Sequence, residues 1–361
     1  MKIAFIACVG INSEAGVTRK ICFQVKAWLE NHIDVKLFIL TTDARDNKKS
    51  LLDSMPVYIT YCQKSKGSFN AHFKSLLHEV DQWNPDLVYH RFFHYNRYLI
   101  ELLVSKIGIL EINTNDLTEY RLTMPWPKYI IHRIRRRWLF KKASGFVTVT
   151  KELESLLKEF DKPTLVCANG IDLSEYVGAP PAINSRPVLT FLGFPGYPWH
   201  GIDKVFQLAK MFPNWEFNIV GYTAENFKEK IPPHMTVHGY LSKENYHKVL
   251  CATDIGIGSL ALHRNFMNEA CPLKSREYLA YGIPMIIAYK DPDFMNEPPF
   301  LLRLPNEENA IISHTEEIRK FVERWQGKRV DRKDIAHLDI NYKAQRQIAF
   351  FRNILKSRTI S

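Results

Sequence analysis

The sequence has few cysteines and no long apolar run. Its 361 residues contain six cysteines, and no two of them stand in a Cys-x-x-Cys spacing. Cysteine this sparse excludes a disulfide scaffold and matches no structural zinc motif. No stretch reaches the roughly 18 apolar residues that a membrane-spanning helix needs. We therefore expect a globular protein of the reducing cytoplasm, with cysteines that pack as small hydrophobic side chains.

Several common catalytic motifs are also missing. The sequence contains no Gly-x-Ser-x-Gly, His-Glu-x-x-His, Gly-x-Gly-x-x-Gly or P-loop pattern, which argues against the enzyme classes that those motifs mark. Asp291 and Asp293 form an Asp-x-Asp pair of the kind that binds metals, but they follow what we expect to be the last core strand of their domain. We interpret them as part of a turn and expect no metal site.

Short apolar runs alternate with helical segments along most of the chain. Ile3–Cys8 is too short for a signal peptide and lacks a cleavage site, so it is predicted to be a first buried strand. Strands that alternate with helices predict parallel βαβ units. The Pro-rich stretch between Val177 and Pro187 predicts a linker. We expect an α/β protein with two doubly wound, Rossmann-like domains, residues 1–178 and 187–340, that face each other across a ligand cleft.

Positive charge is concentrated in one segment. Between Tyr120 and Lys151 there is no acidic residue, and the nine basic residues there account for all but +2 of the formal net charge of +11. Such a patch predicts a phosphate-bearing partner: a membrane surface, a nucleic acid or a phosphorylated substrate. Nucleic acid has the least support, because no aromatic residues are interleaved on a strand for base stacking. We expect none to bind.

Within this segment, Ile131, Ile134 and Trp138 share one helical face. That pattern fits an interfacial helix on anionic lipid. It fits equally well a helix whose apolar face packs on its own domain while the basic side chains are solvated. The residues of the candidate membrane or acceptor patch are Arg133, Arg136, Arg137 and Lys141.

The most informative block runs from residue 269 to residue 284. Pro272 suits the first position of a helix and Gly282 the position just past its end. The amides at the helix start, of Leu273 and Lys274, suit an anion such as a diphosphate, and Lys274 adds a full positive charge.

Two glutamates flank that helix start. Glu277 lies inside the helix and would accept hydrogen bonds from two ribose hydroxyls, whereas Glu269 lies in the preceding loop, within reach of a sugar hydroxyl. A capped helix with two surface glutamates is the alternative interpretation. Two glycine-containing loops, residues 193–201 and 10–16, each join a strand to a helix and are compatible with phosphate binding, but neither is specific alone.

Taken together, these segments resemble the retaining glycosyltransferases of family 4, which have the GT-B fold. The resemblance covers nearly the whole chain and is strongest in the E-x7-E block, which reads Glu-x-x-Pro-Leu-Lys-x-x-Glu-Tyr-Leu-Ala-x-Gly-x-Pro. Supporting pieces are Asn169-Gly170-Ile171-Asp172, Trp199-His200-Gly201-Ile202-Asp203, Ile219-Val220-Gly221, Ala252-Thr253-Asp254, Asn84-Pro85-Asp86 and Leu110-Glu111-Ile112-Asn113. The final helix, within 341–361, looks like the family's closing helix and would complete the first domain.

The resemblance implies transfer of a sugar, with retention, from a UDP- or GDP-sugar and without a metal. The implied acceptor is a lipid-linked or polysaccharide glycan, in cell-surface glycan synthesis on the cytoplasmic face of the membrane. Carried over by position, Glu269 and Asn113 are the catalytic candidates. The donor-binding candidates are Gly16, His200, Gly201, Tyr222, Tyr240, Leu273, Lys274 and Glu277.

Two departures from the family pattern affect the expected chemistry. Phe194 and His200 stand where many members have the Arg and Lys that bind the diphosphate, so neutralisation would depend more on Lys274 and backbone amides. Asn113 stands where many members have a histidine, which weakens any assignment of a general base. A degenerate, non-catalytic nucleotide-sugar-binding protein and a GT-B nucleotide-sugar epimerase are the alternatives.

Overall fold

The computed structural model describes residues 1–11, 16–44, 51–62 and 68–359. The chain divides into two compact units, Met1–Gly170 with Ile340–Ser361 and Ile171–Asp339. Residues 171–178, assigned to the first domain above, therefore belong to the second unit. Of the glycine-containing loop 10–16, residues 12–15 lie outside the described residues.

The first unit is built on a parallel sheet with the strand order β3-β2-β1-β4-β5-β6-β7. Its elements in chain order are β1 (Lys2–Cys8), α1 (Gly16–Glu30), β2 (Asp34–Thr41), β3 (Val57–Tyr61), α2 (Phe69–Trp83), β4 (Leu87–Arg91), α3 (Arg97–Ser105), β5 (Ile107–Ile112), α4 (Asp116–Thr123), α5 (Trp126–Lys142), β6 (Gly145–Thr148), α6 (Lys151–Ser155) and β7 (Thr164–Val166).

The second unit contains another parallel sheet, with the order β10-β9-β8-β11-β12-β13. Its elements are β8 (Val188–Leu192), α7 (Ile202–Met211), β9 (Glu216–Val220), β10 (Met235–Val237), α8 (Lys243–Cys251), β11 (Ile255–Ile257), α9 (Leu273–Ala280), β12 (Met285–Ile287), β13 (Leu301–Arg303), α10 (Ala310–Ser313) and α11 (Thr315–Trp325). The predicted α/β class with two doubly wound parallel sheets is confirmed.

The last helix, α12 (Ile340–Thr359), belongs to the first unit and packs against α1. The Phe351 ring of α12 lies edge-on to Trp28, with centroids 5.4 Å apart. The side-chain oxygen of Gln347 accepts hydrogen bonds from Trp28 Nε1 and Gln24 Nε2, each 3.1 Å long. Because these polar groups are buried, their hydrogen bonds fix the helix in one position on the sheet.

Two sequence expectations about the second unit need correction. β12 is not the last core strand, because the short strand β13 pairs with it in parallel. Three residues after a Pro-Pro pair give too short a pattern to predict that strand. The linker is also more than a spacer, because the Nδ2 of Asn184 donates to the carbonyl of Ala252 and to Asp254, both at 2.8 Å. This stretch is therefore anchored on the second unit.

Candidate functional site

The start of α9 offers the second unit's clearest anion-binding geometry. Pro272 is the N-cap residue, in an extended conformation, and supplies no side-chain hydrogen bond to the first turn. The amides of Leu273 and Lys274 therefore receive no side-chain cap and present the positive end of the helix dipole. The chain leaves this region through Gly282, at φ +75°, as a helix-terminating glycine does.

Lys274 places an ammonium group at this helix start without an anionic partner. Its Nζ is enclosed by protein and has no hydrogen-bond partner. The same atom lies 4.1 Å from the centroid of the Phe191 ring, at the end of β8. Burial lowers the pKa of Lys274 to about 7. A buried cation that contacts only an aromatic face is destabilising unless a ligand supplies negative charge.

Two more predicted donor-binding residues meet the same aromatic ring. The centroids of His200 and Tyr222 lie 6.4 and 6.2 Å from that of Phe191. Burial, reinforced by the Lys274 charge, lowers the pKa of His200 to about 3, so its imidazole is neutral at physiological pH. Tyr222 donates a 2.7 Å hydrogen bond to the Phe194 carbonyl. His200 therefore adds no positive charge to the site.

Glycines allow the loops around this ring to approach each other. Gly201 has φ +73°, and a Cβ there would lie only 3.1 Å from the backbone nitrogen of Ala261. A Cβ on Gly221, at φ +88°, would lie 2.1 Å from the Gly193 carbonyl oxygen. No side chain fits at Gly221, because real Cβ atoms do not approach backbone that closely. The carboxyl ends of β8 and β9 can therefore meet at the base of the site.

The Glu277 carboxylate is held by two tyrosines that the sequence analysis missed. Tyr246 of α8 donates from its hydroxyl to Glu277 Oε2 at 2.8 Å, and Tyr176 donates to Oε1 at 3.3 Å. Burial and the neighbouring carboxylate raise the pKa of Tyr246, so its proton stays on the phenol. Both carboxylate oxygens thus have a fixed orientation, which suits recognition of a diol. No spacing rule connects these tyrosines to Glu277, 31 and 101 residues away.

Glu269 lies in the loop before α9, and its backbone is fixed by a short parallel bridge to Lys290. The Ala270 amide donates to the Lys290 carbonyl at 3.1 Å, and the Lys290 amide donates to the Asn268 carbonyl at 2.8 Å.

Tyr240 has a different setting, since it is 69% exposed. Its ring lies edge-on to Phe194, with centroids 6.4 Å apart. Tyr240 is thus available for stacking, whereas Glu269 has a fixed backbone position.

In the first unit, Gly16 begins α1 and Asn113 follows β5. The Oδ1 of Asn113 accepts a 3.1 Å hydrogen bond from Lys20, and the Asn113 side chain also interacts with the Glu111 carboxylate. Lys20 also pairs with Glu111 at 2.8 Å. Although burial alone would raise the pKa of Glu111, Lys20 and Arg91 lower it to about 2. The Asn113 side chain is therefore held in place by Lys20 and Glu111.

One residue of the predicted basic patch, Arg136 of α5, is buried in the structure and does not belong to the patch. Arg136 is buried and forms a two-pronged pair with Asp116, with Nε and Nη2 at 2.7 and 2.9 Å from its oxygens. His132 Nε2 lies 2.6 Å from the same carboxylate, and the Tyr95 amide donates to Nδ1 at 3.0 Å. His132 is therefore a neutral imidazole that donates from Nε2 to Asp116. Arg136 joins α5 to α4 and is not a surface residue.

Three apolar residues of α5 that share one face are exposed, contrary to the alternative in which this face packs on its domain. Ile131, Ile134 and Trp138 are 48%, 61% and 54% exposed. Arg133 and Lys141 are exposed as well, and Arg137 forms a surface pair with Glu159. Residues four apart lie on the same face of a helix. Arg136 is therefore on the buried face with His132 and not on the exposed face.

The Asp-x-Asp pair is a turn, as predicted, and its carboxylates bind an arginine. Both oxygens of Asp291 accept hydrogen bonds from the buried Arg276, at 2.6 and 2.8 Å, and Asp293 accepts a third at 2.9 Å. In the part of the chain that the structure describes, no group of three or more His, Cys, Asp and Glu side chains could hold a metal ion. Among the same residues, no helix has the length and apolar character to cross a membrane.

Comparison with known proteins finds solved structures with a similar fold. No protein-family profile and no curated protein sequence matches the chain. Sucrose-phosphate synthase from Thermosynechococcus elongatus has a similar structure, with a TM-score of 0.73 and 14% identity over 99% of this chain and 100% of that one. An α-glucosyltransferase bound to UDP and DNA is also similar, with a TM-score of 0.62 and 13% sequence identity over 99% of each chain.

A third similar structure is UDP-GlcNAc 2-epimerase from Neisseria meningitidis bound to UDP-GlcNAc, with a TM-score of 0.54 and 12% identity over 98% of this chain and 100% of that one. Identities this low relate folds and do not transfer activities. One of these similar structures contains DNA, so the expectation that no nucleic acid binds this chain stays a prediction. With two parallel-sheet Rossmann-like units and these structural neighbours, the chain has the GT-B glycosyltransferase fold.

Proposed function

We propose that the protein is a glycosyltransferase that uses a nucleotide-sugar donor. One observation supports this most: the enclosed, unpartnered ammonium of Lys274 at the uncapped start of α9, one helical turn from the fixed Glu277 carboxylate. A nucleoside diphosphate has the matching pattern, because its phosphates would neutralise the ammonium and its ribose diol would meet the carboxylate.

The remaining donor contacts follow from positions on the same unit. The amides of Leu273 and Lys274 would bind the diphosphate, and the backbone at Gly201 and His200 would line its path. Tyr222 and the exposed Tyr240 would contact the base, and Glu269 would hold hydroxyls of the donor sugar. Gly16, at the exposed start of α1, is the donor-binding candidate of the first unit.

The proposed reaction proceeds with retention and without a metal. The bond between the anomeric carbon and the diphosphate oxygen breaks, the acceptor oxygen bonds to that carbon on the same face, and the leaving phosphate takes the acceptor proton. Lys274 would stabilise the charge that develops on this phosphate. Asn113 would orient a sugar or acceptor hydroxyl through its side-chain amide. An amide cannot act as a general base, so the phosphate route suits the residues present.

The donor assignment is tested with Glu277→Ala and Glu269→Ala. We expect the first to raise the donor KM and the second to lower kcat, because loss of a hydrogen bond to a charged group costs about 1.5–3 kcal/mol. Glu229→Ala, at an exposed surface pair with Lys210, is the matched control.

Thermal-shift screening with UDP- and GDP-sugars identifies the donor first. Wild-type transfer rates in both variants would contradict these roles, and isomerisation of the donor sugar without an acceptor would indicate the epimerase.

We also propose that the acceptor is a lipid-linked or polysaccharide glycan on the cytoplasmic face of a membrane, with α5 resting on anionic lipid. The exposed Ile131, Ile134 and Trp138 would enter the headgroup region, and each nearby basic residue would contribute about 1 kcal/mol, screened by salt. Reversible peripheral binding needs no spanning helix.

Vesicle sedimentation tests this. We expect the protein to pellet at low salt with phosphatidylglycerol-containing vesicles, and not with phosphatidylcholine alone. Arg133→Glu with Lys141→Glu should abolish pelleting, whereas Lys320→Glu with Arg324→Glu, the same charge change on α11, should not. A wild type that stays in the supernatant but binds DNA at low salt would favour a nucleic-acid acceptor instead.

A further inference from the structure

A single asparagine fastens both ends of the loop that precedes Glu269. Asn306 follows β13, and its Oδ1 accepts a 2.7 Å hydrogen bond from the backbone amide of His263. Its Nδ2 donates to the carbonyl of Met267 at 2.8 Å and to Oδ1 of Asn268 at 3.3 Å. One side chain therefore joins the first and last residues of the segment 263–268.

A second set of contacts holds the beginning of this loop. The guanidinium of Arg264 pairs with both oxygens of Asp203, at 2.8 and 2.7 Å, and with Glu308 at 2.6 Å. His263 Nε2 also contacts Glu308 at 2.9 Å. Because the Glu308 side chain is 58% exposed, solvent screens these pairs. They tie the start of the loop to α7, but they do not reach Met267 or Asn268.

The end of the loop determines where Glu269 lies. Asn268 bonds through its carbonyl to the Lys290 amide and through its side chain to Asn306. The Glu269 backbone thus lies between a strand-like bridge on one side and the asparagine clamp on the other. Phe266, inside the loop, has φ +52°, a conformation that a non-glycine residue keeps only under such constraint.

We infer that Asn306 is a positioning residue for Glu269: it holds the segment 263–268 so that this carboxylate meets the donor sugar. The catalytic part of this inference rests on the proposed function, whereas the clamp itself does not. A displacement of about 1 Å at a reacting group is enough to slow an enzyme by a large factor, so loss of the clamp should affect turnover more than donor binding.

The chain supplies a matched control at Asn184. Its Nδ2 also makes two hydrogen bonds, to a backbone carbonyl and to a side-chain oxygen, and it is partly buried like Asn306. Asn306→Ala and Asn184→Ala therefore remove similar interactions from the same unit. Only the first should change the loop before Glu269.

Two measurements test the inference on the full chain. In hydrogen exchange, Asn306→Ala should speed exchange of the His263 amide and of segment 263–270, whereas Asn184→Ala should not. In kinetics with the donor found by screening, Asn306→Ala should lower kcat about tenfold or more with little change in donor KM. Asn306→Gln, which keeps the amide, should recover part of that loss.

A double-variant cycle separates positioning from general destabilisation. In a Glu269→Gln background, Asn306→Ala should lower kcat no further, because it acts through Glu269. An equal additional loss there, or unchanged exchange in segment 263–270, would overturn the inference. Faster exchange in a chain that transfers no sugar from any nucleotide donor would overturn the proposed function while supporting the clamp.

Discussion

Replacement of Lys274 by methionine should make the protein more stable and less able to bind a nucleotide. In wild type, the ammonium is enclosed without a hydrogen-bond partner and lies over the Phe191 ring. Methionine has a similar length, no charge, and a thioether that packs well against an aromatic ring. The variant Lys274→Met therefore removes a buried cation without leaving a large cavity.

The size of the effect follows from the pKa of this lysine. Burial lowers it from 10.5 to about 7 in the folded protein. Because the unfolded chain binds the Lys274 proton more tightly, the buried ammonium lowers the free energy of unfolding. This loss of stability is complete below pH 7 and disappears as the pH rises towards 10.5. At 1.36 kcal/mol per pKa unit, the penalty is about 5 kcal/mol below pH 7 and about 2 kcal/mol at pH 9. The contact with Phe191 offsets part of it.

Thermal unfolding at pH 6 and pH 9 measures this penalty. Lys274→Met should raise the Tm of the second unit by several degrees at pH 6 and by less at pH 9. Lys328→Met, at an exposed lysine of the same unit, should leave Tm nearly unchanged at both. A donor nucleotide should stabilise wild type and not Lys274→Met. A Tm that falls in the variant, or a gain that is equal at both pH values, would refute the reasoning, because the ammonium would then have a partner.

Three further predictions concern other buried groups and the proposed chemistry. Tyr246→Phe should raise the donor KM about tenfold with little change in Tm, because it removes a 2.8 Å hydrogen bond to the Glu277 carboxylate; an unchanged KM would contradict that role. Arg136→Ala should destabilise the first unit by about 3–5 kcal/mol, since it leaves the buried Asp116 with an uncompensated charge, whereas Arg133→Ala should change its unfolding little. Transfer activity should persist in excess EDTA; a loss that Mg²⁺ or Mn²⁺ restores would disprove the metal-free reaction.

The sequence predicts the site best where the chemistry is local. The block from Glu269 to Gly282 contains a helix start, its charge and its terminating glycine within a few residues, so its spacing predicts a helix whose start is a candidate anion site. The phenols on Glu277 come from α8 and from the stretch after Gly170, and no periodicity relates them to it. The role of Asn306 could not be predicted for the same reason. Its hydrogen-bond partners lie about forty residues earlier in the sequence, and α9 and β12 come between them.

The basic patch shows how a correct composition argument can misplace a residue. Counting charges between Tyr120 and Lys151 correctly finds an excess, and helical spacing correctly places Ile131, Ile134 and Trp138 on one face. Arg136 was grouped with its neighbours because sequence does not reveal which face of α5 meets Asp116. Burial of an arginine requires a partner carboxylate, and Asp116 lies in a different helix.

Comparison of the buried basic side chains explains why Lys274 stands out. Arg276 is neutralised by Asp291, Lys20 by Glu111, Arg136 by Asp116 and Lys204 by Glu308. These pairs show that the fold encloses positive charge where a carboxylate is supplied. Lys274 has a ring face and a helix N-terminus near it, and the ring compensates only part of its charge. An apolar residue would serve stability better at this position, which supports the proposal that an anionic ligand compensates the charge of Lys274 when bound.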